Sequence, residues 1–486
     1  MTIEIIGLIA AILGVLGLVA GPAFLVFLFI TSTLLGASAA FVLDSLGGAS
    51  ISPAHLLLGF IVVGLLSRPA IVQHSLAGLA FPKAGFWLLI TVIYSLCTAI
   101  FLPRLFAGLT YVFPVRADGG YTLVPLAPST ANFTQSVYFT SDFLCFIALY
   151  GYAGLPQGWR LITKVALWCA ALNLVFGVVD IVTYWTNTTE LLSFIRNANY
   201  RMLNDSEVAG FKRIVGSFTE AAAFGSTTLG YFGFCLKLWL EGYHTRLTFT
   251  LAVLSLGAMV FSTSTTAYVG LSTFLVLIYL ECLFKLLARP VPTQTIMFLI
   301  AAPILATLVI VAIALNDETR SYIQDLLNTM VFNKLSTDSG VERSAWNTHA
   351  IQNFFDTWGI GAGNGSVRAA SFLAAVLASL GVVGAFTYGA FLLFVFLGNC
   401  EPAWTDPYAK AVSSAAKSVC LAWFIASSIA GAFIDLSLPF YLFAALACAK
   451  KSSRSSAQMA REPPGFGTLL PSSGAFLAQI SVDPHR

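Results

Sequence analysis

Residues 5–42 read IIGLIAAILGVLGLVAGPAFLVFLFITSTLLGASAAFV, without a single Asp, Glu, Lys, Arg or His. A helix needs about 20 apolar residues to cross a bilayer, so this stretch holds close to two crossings. Its one interruption is Gly21-Pro22, a pair that breaks or bends helices. The stretch is therefore either a tight hairpin or one long kinked helix, and the side on which the chain starts stays open. It does not read as a signal peptide, because no Lys or Arg precedes the apolar run and Glu4 does.

The rest of the chain repeats this pattern. Of 486 residues, 58% are hydrophobic and 10% are charged, against roughly 25% charged in soluble domains. Mean hydropathy is +0.84. An ordinary cytosolic enzyme and a disordered chain are excluded. Apolar runs recur at 5–20, 22–42, 54–67, 86–105, 133–153, 162–184, 218–236, 247–262, 266–284, 295–316, 369–398, 418–434 and 437–449. They predict an all-α polytopic membrane protein with 12 or 13 transmembrane helices over residues 1–449. The net charge of +3 comes with no basic tract, so no nucleic acid partner is expected. Walker A, GxSxG and HExxH motifs are absent.

The short connectors carry Arg68 and Lys83, Arg160 and Lys164, Lys237 and Arg246, Lys285 and Arg289, Lys410 and Lys417. The bias of Lys and Arg toward the cytoplasm puts these connectors inside, together with the tail 450–486. That tail is rich in Ser, Pro and Gly and reads as disordered. Outside then lie 106–132, the basic loop 185–217 and the large loop 317–368. The eight cysteines avoid all three outer segments and form no CxxC pair, which suits buried apolar thiols better than disulfides or a metal site.

The scarce polarity concentrates in the outer loops. Residues 186–220, TNTTELLSFIRNANYRMLNDSEVAGFKRIVGSFTE, hold Arg196, Arg201, Lys212 and Arg213. They read either as a solvated loop or as an anion site at the membrane surface. Arg213 is the stronger candidate, since it precedes Gly216 and the next span, where a guanidinium and a helix N-terminus both favour phosphate. Glu220 enters that span; a carboxylate there is either functional or the ion-pair partner of Arg213 or Lys212. Asp142, Asp180 and Asp435 are further acids in or beside spans, each open to a role as partner of an outer Arg, as a cap or as a proton-relay group.

The large loop divides into three parts. Residues 318–334, ETRSYIQDLLNTMVFNK, put Tyr322, Ile323, Leu326, Leu327, Met330 and Val331 on one stripe and predict an interfacial amphipathic helix. Residues 342–358, ERSAWNTHAIQNFFDTW, predict a second helix with Arg343 in its first turn. His349 lies six residues on, about 120° around a helix; it is a candidate general base or an ordinary polar contact. GIGAGNGS at 359–366 alternates glycines. With Gly361, Gly363 and Gly365 it can form an anion-binding nest beside Arg368, or simply a flexible loop.

Three motifs carry a resemblance. RIVGSFTEAAAFGS (213–226), FSTSTTAYVGL (261–271) and RSAWNTHAIQNFFDTWGIGAGNGS (343–366) together resemble the superfamily of O-antigen polymerases and O-antigen ligases (the Wzy-type and WaaL-type proteins) that build bacterial surface polysaccharides. The first is similar to its Arg-x-x-Gly-x-Phe-x-Glu segment. The second is similar to its Ser/Thr-rich break between central spans. The third, the most specific, is similar to the Arg-x-x-Trp…Gly-x-Gly-x-Gly signature of its large outer loop. The resemblance is close over roughly 200–400.

It implies a C-type glycosyltransferase-like membrane fold in the bacterial inner membrane, with the active site facing the periplasm. It also implies glycosyl transfer without metal or cofactor, from a lipid-linked oligosaccharide donor on undecaprenyl pyrophosphate to a lipid-linked acceptor. The family's two pyrophosphate-binding arginines map onto Arg213 and Arg343. Glu220 and His349 are then the candidate proton acceptors, and Arg196, Arg201, Lys212, Gly361, Gly363, Gly365 and Arg368 the substrate-binding set. A chain-length regulator is the expected protein partner. Ligases carry a His-Asn pair opening the span after the glycines; here that place is Ala370-Ser371. The departure favours polymerase over ligase, with a lipid-linked-sugar transporter or flippase as the non-enzymatic alternative.

Overall fold

The computed structural model describes residues 2–43, 48–115, 122–199, 202–204, 206–208, 210–288, 290–328, 337–398 and 407–449. Sixteen α-helices among the described residues dominate it. They are α1 (Ile5–Ala20), α2 (Pro22–Ser32), α3 (Pro53–Leu66), α4 (Pro69–Gly78), α5 (Ala84–Leu105), α6 (Thr130–Ala153), α7 (Gly158–Trp185), α8 (Ala221–Leu240), α9 (Thr245–Phe261), α10 (Thr265–Ala288), α11 (Thr293–Leu315), α12 (Asp317–Leu327), α13 (Asp338–Asp356), α14 (Phe372–Leu397), α15 (Pro407–Ala430) and α16 (Leu438–Cys448). The strands are short. β1 (Thr2–Ile3), β2 (Phe41–Leu43) and β3 (Ala49–Ile51) form one antiparallel sheet; β4 (Tyr111–Val112) pairs with β5 (Val124–Pro125), and β6 (Glu207–Val208) with β7 (Phe211–Lys212).

Every apolar run of the sequence falls on a helix, but the spans are not uniform. Among the described residues, six helices are long and apolar enough to cross a membrane: α5, α7, α10, α11, α14 and α15. The bent pair α3–α4 makes a seventh if it is one span. The other runs among the 12 or 13 expected helices fall outside this set for two physical reasons. First, α1, α2, α9 and α16 are apolar but short. Secondly, α6 carries Thr, Ser, Asn, Gln and Asp, and α8 Ser, Thr and Lys, among their apolar residues, and both pack among other helices. The chain is a multi-pass membrane protein with partial spans.

Local sequence explains the irregularities. Gly21 (φ 106) separates α1 from α2, with Pro22 opening the second helix; the hairpin reading of 5–42 is the one that forms. Its final part, 33–42, turns out of the helix and ends in β2. Arg68 stands in an extended conformation before Pro69, where a helical one is disfavoured, and α3 and α4 meet at 106°. The lipid-facing side is apolar: Leu308, Val309 and Ile310 of α11 are exposed, as are Val15 and Val19 of α1. A bilayer, not water, is the solvent that suits such a surface. Inside, α8 lies against α9 and α15, α14 against α5, and α16 against α6 and α15.

The predicted outer helices are present. The amphipathic segment forms α12 as far as Leu327, and Met330 and Val331 lie outside the described residues. The second forms α13, which begins four residues earlier than expected because Thr337 caps it, its side chain accepting from Gly340 N–H. The tail 450–486, Arg201 and Cys400 also lie outside the described residues. The other seven cysteines are free thiols, and all but Cys97 are buried.

Candidate functional site

The basic loop is organised by Asp180, near the C-terminal end of α7. Its side chain is 1% exposed. Arg196 Nη2 reaches Oδ1 at 2.6 Å, and Lys212 Nζ reaches Oδ2 at 3.5 Å. The backbone N–H groups of Val215 and Gly216 donate to Oδ2 at 2.7 and 3.1 Å. Arg196 also donates to the carbonyl of Gly216 through Nε at 3.1 Å, and Lys212 Nζ to the carbonyl of Arg213 at 2.9 Å. A buried carboxylate with this many donors is satisfied. Arg196 and Lys212, expected in the substrate-binding set, are thus held by Asp180. Both are buried and bound within the protein, and of the three alternatives for Asp180 the partner of an outer Arg is the one realised.

This hub fixes the first motif. Gly216 sits at φ 62, and a Cβ there would stand 2.9 Å from the Phe224 ring. Ser217 Oγ donates to the Leu34 carbonyl at 2.6 Å. The pinned turn 215–218 holds Arg213 immediately before it and Glu220 immediately after, at the N-cap of α8.

Arg213 has a different environment from its neighbour. Its backbone N–H donates to Ser206, but its guanidinium makes no hydrogen bond among the described residues, and Nε is buried. Burial lowers its pKa below the usual arginine value; Glu220 and Tyr268 oppose this by attraction, and Arg343 adds to it by repulsion. These electrostatic partners bring the three motifs together. Arg213 and Glu220 come from the first, Tyr268 from the second and Arg343 from the third. The second motif packs directly on the first, since a Cβ on Gly225 would meet Ala267 Cβ at 2.9 Å. Its Ser262-Thr263-Ser264 break is buried. Thr263 takes a left-handed conformation (φ 45), and its Oγ1 has no hydrogen-bond partner among the described residues. Glu220 makes no side-chain capping bond to α8.

The large loop splits the remaining candidates. Arg343 is half-buried on α13. His349, on another face of that helix, packs edge-on against Phe113 at 5.3 Å and is not among the groups that Arg213 senses. Arg368 stacks over the Trp346 ring at 4.1 Å, and its backbone N–H donates to Phe113.

The glycines, which the sequence leaves open as a nest or a flexible loop, pack as a wedge. Gly359, Gly361, Gly363 and Gly365 all have positive φ. A Cβ on Gly361 would lie 2.7 Å from Gly381 N, on Gly363 2.7 Å from the Thr98 carbonyl, and on Gly365 2.4 Å from the Ala131 carbonyl. The Gly361 N–H donates to Thr357 Oγ1 and the Gly363 N–H to the Ser379 carbonyl. These amides are consumed by the protein. The segment threads between α5, α6 and α14 and meets α14 where Gly381 (φ 63, ψ −161) breaks it. Asn132 ties it down, donating to the Asn364 carbonyl at 2.7 Å and to Ser366 Oγ at 2.8 Å.

Beside this wedge runs a groove of about 550 Å³ between α5 and α6. Leu96, Ile100, Phe133 and Val137 line its walls, and Arg104 stands in the last turn of α5. Neither Arg104 nor Tyr268 is marked by a sequence motif of its own. Tyr268 lies within the quoted Ser/Thr-rich stretch, where the hydroxyl break drew attention away from the ring that follows it.

No protein-family model matches this chain, and no curated protein does either.

Proposed function

We propose that the chain is a polysaccharide polymerase. It joins lipid-linked oligosaccharide repeat units by transfer from a polyprenyl pyrophosphate at the outer face of a bacterial inner membrane. The observation that carries this reading is Arg213. It is a partly buried guanidinium without an internal hydrogen-bond partner, in electrostatic contact with a second arginine, Arg343. Two neighbouring cations repel each other, so their approach makes sense when an anion of high charge occupies the space between them. A pyrophosphate is such an anion, and arginine binds it in bidentate fashion without changing protonation state.

The chemistry follows. The acceptor sugar hydroxyl attacks the anomeric carbon of the donor, the bond to the pyrophosphate oxygen breaks, and negative charge builds on the leaving phosphates. Arg213 and Arg343 stabilise that charge. The hydroxyl proton passes to a base. Glu220 is placed better than His349 for this, because Glu220 lies within electrostatic reach of Arg213 and His349 does not. The groove between α5 and α6, with its apolar walls, suits an isoprenoid tail. A transporter reading has less support, since the unpartnered cation lies in an outer loop.

The test is a chain-length gel from cells carrying Arg213→Ala or Arg343→Ala, with membrane levels of each variant checked. The expected pattern is single repeat units on the acceptor and no ladder. Normal ladders from both variants sink the proposal. Long polymer accumulating on the lipid carrier identifies a ligase, and lipid-linked units trapped inside identify a flippase.

A further inference from the structure

The last two helices hold a second polar centre, remote in sequence from the three motifs. Ser413 Oγ donates to the Ala447 carbonyl and Cys420 Sγ to the Phe440 carbonyl, which sets α15 and α16 antiparallel in a fixed register. By that register Ser437, the N-cap of α16, falls opposite Trp423, about 10 Å below the outer end of α15 at 1.5 Å per residue. α16 is thus a half-span of 11 residues, and the non-helical segment 431–437 descends from the outer surface to reach it. Irregular backbone at membrane depth persists only where protein or a polar cavity surrounds it. Here the Tyr388 hydroxyl donates to the Ile434 carbonyl at 3.0 Å, and Cys145 Sγ donates to that of Leu438 at 3.7 Å.

One turn before Cys145, near the middle of α6, stands Asp142. Its side chain is 0% exposed, and neither carboxylate oxygen has a hydrogen-bond donor among the described residues. Asp435 of the descending segment, half-buried and accepting from the Ser437 N–H, acts on it through its charge and through side-chain hydrogen bonding. Two ionised carboxylates are both acceptors and cannot bond to each other. The other titratable groups in electrostatic reach of the two acids are His55 on α3, Cys145 on α6, Tyr388 on α14 and Tyr441 on α16. No Lys or Arg is among the groups that Asp142 senses. A buried carboxylate with neither cation nor donor is far too costly to stand as it is.

We propose that Asp142 and Asp435 form an intramembrane proton-binding site, with one proton held between the two carboxyl groups at the foot of the half-helix α16. The proton supplies the missing donor and removes one of two like charges. The site is linked to the outer loop, because Ala432 of the descending segment accepts from Ala369 N–H just after the glycine wedge, at 3.2 Å. Protonation at mid-membrane depth therefore bears on the position of that wedge.

Infrared difference spectroscopy of the purified protein in nanodiscs tests this without any activity assay. The expected result is a carbonyl-stretch band of a protonated carboxyl at neutral pH, where an ordinary aspartate with a pKa of about 3.9 is ionised. The band should shift in D₂O and vanish in Asp142→Asn. In Asp435→Asn it should persist at a shifted frequency, because Asp142 keeps the proton but loses its carboxylate partner. Absence of the band at neutral pH overturns the proposal, and so does a band untouched by Asp142→Asn. A band indifferent to Asp435→Asn removes Asp435 from the site. Loss of the band on adding NaCl, but not choline chloride, at constant pH makes the occupant sodium and overturns the proton reading. If Asp142→Asn does not fold, the wild-type spectra and Asp435→Asn still decide the matter.

Discussion

Lys212 and Arg213 are adjacent in the chain and end in opposite circumstances. Lys212 turns inward to the Asp180 hub, where its ammonium is 3% exposed and meets a carboxylate and a backbone carbonyl. The Arg213 guanidinium makes no hydrogen bond among the described residues; Glu220 and Tyr268 attract it, and a like charge, Arg343, repels it. Sequence places both in one class, a basic residue in an outer loop. Structure separates a cation whose charge is used to fold the loop from a cation whose charge is still available. The first kind should matter for stability and the second for ligand.

The largest effect expected from this contrast is at the hub. Asp180→Ala leaves Arg196 and Lys212 buried without their anion and frees two backbone N–H groups. Breaking a buried pair from one side typically costs about 3–5 kcal/mol. The variant should lose most of its folded protein, seen as a large fall in the thermal midpoint in detergent. The double variant Asp180→Ala/Arg196→Ala should fall less than the sum of the two single changes, because it strands fewer charges. A hub variant with wild-type stability would collapse the distinction between Lys212 and Arg213.

Next comes Arg213→Ala. It removes a group with no internal hydrogen-bond partner, so the thermal midpoint should hold or rise slightly. Transfer should fall by about 10²–10³-fold, the range found when one charge-stabilising donor is deleted. Arg213→Lys should recover only part of that, since an ammonium lacks the two-pronged geometry. Turnover of a lipid-linked repeat unit by purified protein gives the activity arm, and unfolding of the same samples gives the stability arm. A loss of stability equal to that of the hub variant would place Arg213 in the folding class after all.

Much of this was legible before any coordinates. The apolar runs predict the helices, the Gly21-Pro22 break leaves a hairpin and a kinked helix open, Arg213 and Glu220 stand out by position, and Arg343 by the resemblance. Three things were not legible, each for a physical reason. Helix lengths were not, because apolar composition marks burial in protein as well as in lipid, and a run such as 437–449 carries no signature of the 11-residue helix it forms. Arg196 and Lys212 looked like ligand groups because their partner, Asp180, lies in the preceding helix, and a contact made by chain reversal has no local signature. The glycines left a nest open because positive φ is common to nests and to close packing. Which of the two forms depends on whether the amides meet a ligand or, as at Gly361 and Gly363, the protein's own oxygens.

That last point yields a third prediction. Gly365→Ala would put a methyl 2.4 Å from the Ala131 carbonyl at φ 78. Overpacking of this kind costs about 1–3 kcal/mol, added to the strain of a left-handed residue. Stability should drop while any residual folded protein keeps its affinity for a pyrophosphate lipid. A nest would give the reverse, with affinity lost and stability kept. Measuring binding and thermal midpoint on one preparation separates the two.

The smallest effect is expected at the other end of α8, where charge is also plentiful. Lys237 Nζ pairs with Glu281 at 2.7 Å, and Lys285 with Glu281 and Glu241 at 2.9 and 3.0 Å. This network is closed as the hub is, but Lys285 and Glu241 are each 23% exposed and Glu281 is 40% exposed. Solvent screens such pairs, and exposed ion pairs are worth roughly 0.2–1 kcal/mol. Lys285→Ala should therefore shift the thermal midpoint only slightly, and that shift should shrink further in high salt. Transfer should be unchanged, because the network lies at the opposite end of the helix from Glu220. Lys237→Ala should cost more than Lys285→Ala, since Lys237 is 2% exposed and its removal leaves a void, while Glu281 keeps only Lys285 of its two lysine partners. If Lys285→Ala instead abolished transfer, pairing would no longer distinguish structural from functional charge, and the reading of Arg213 would lose its basis.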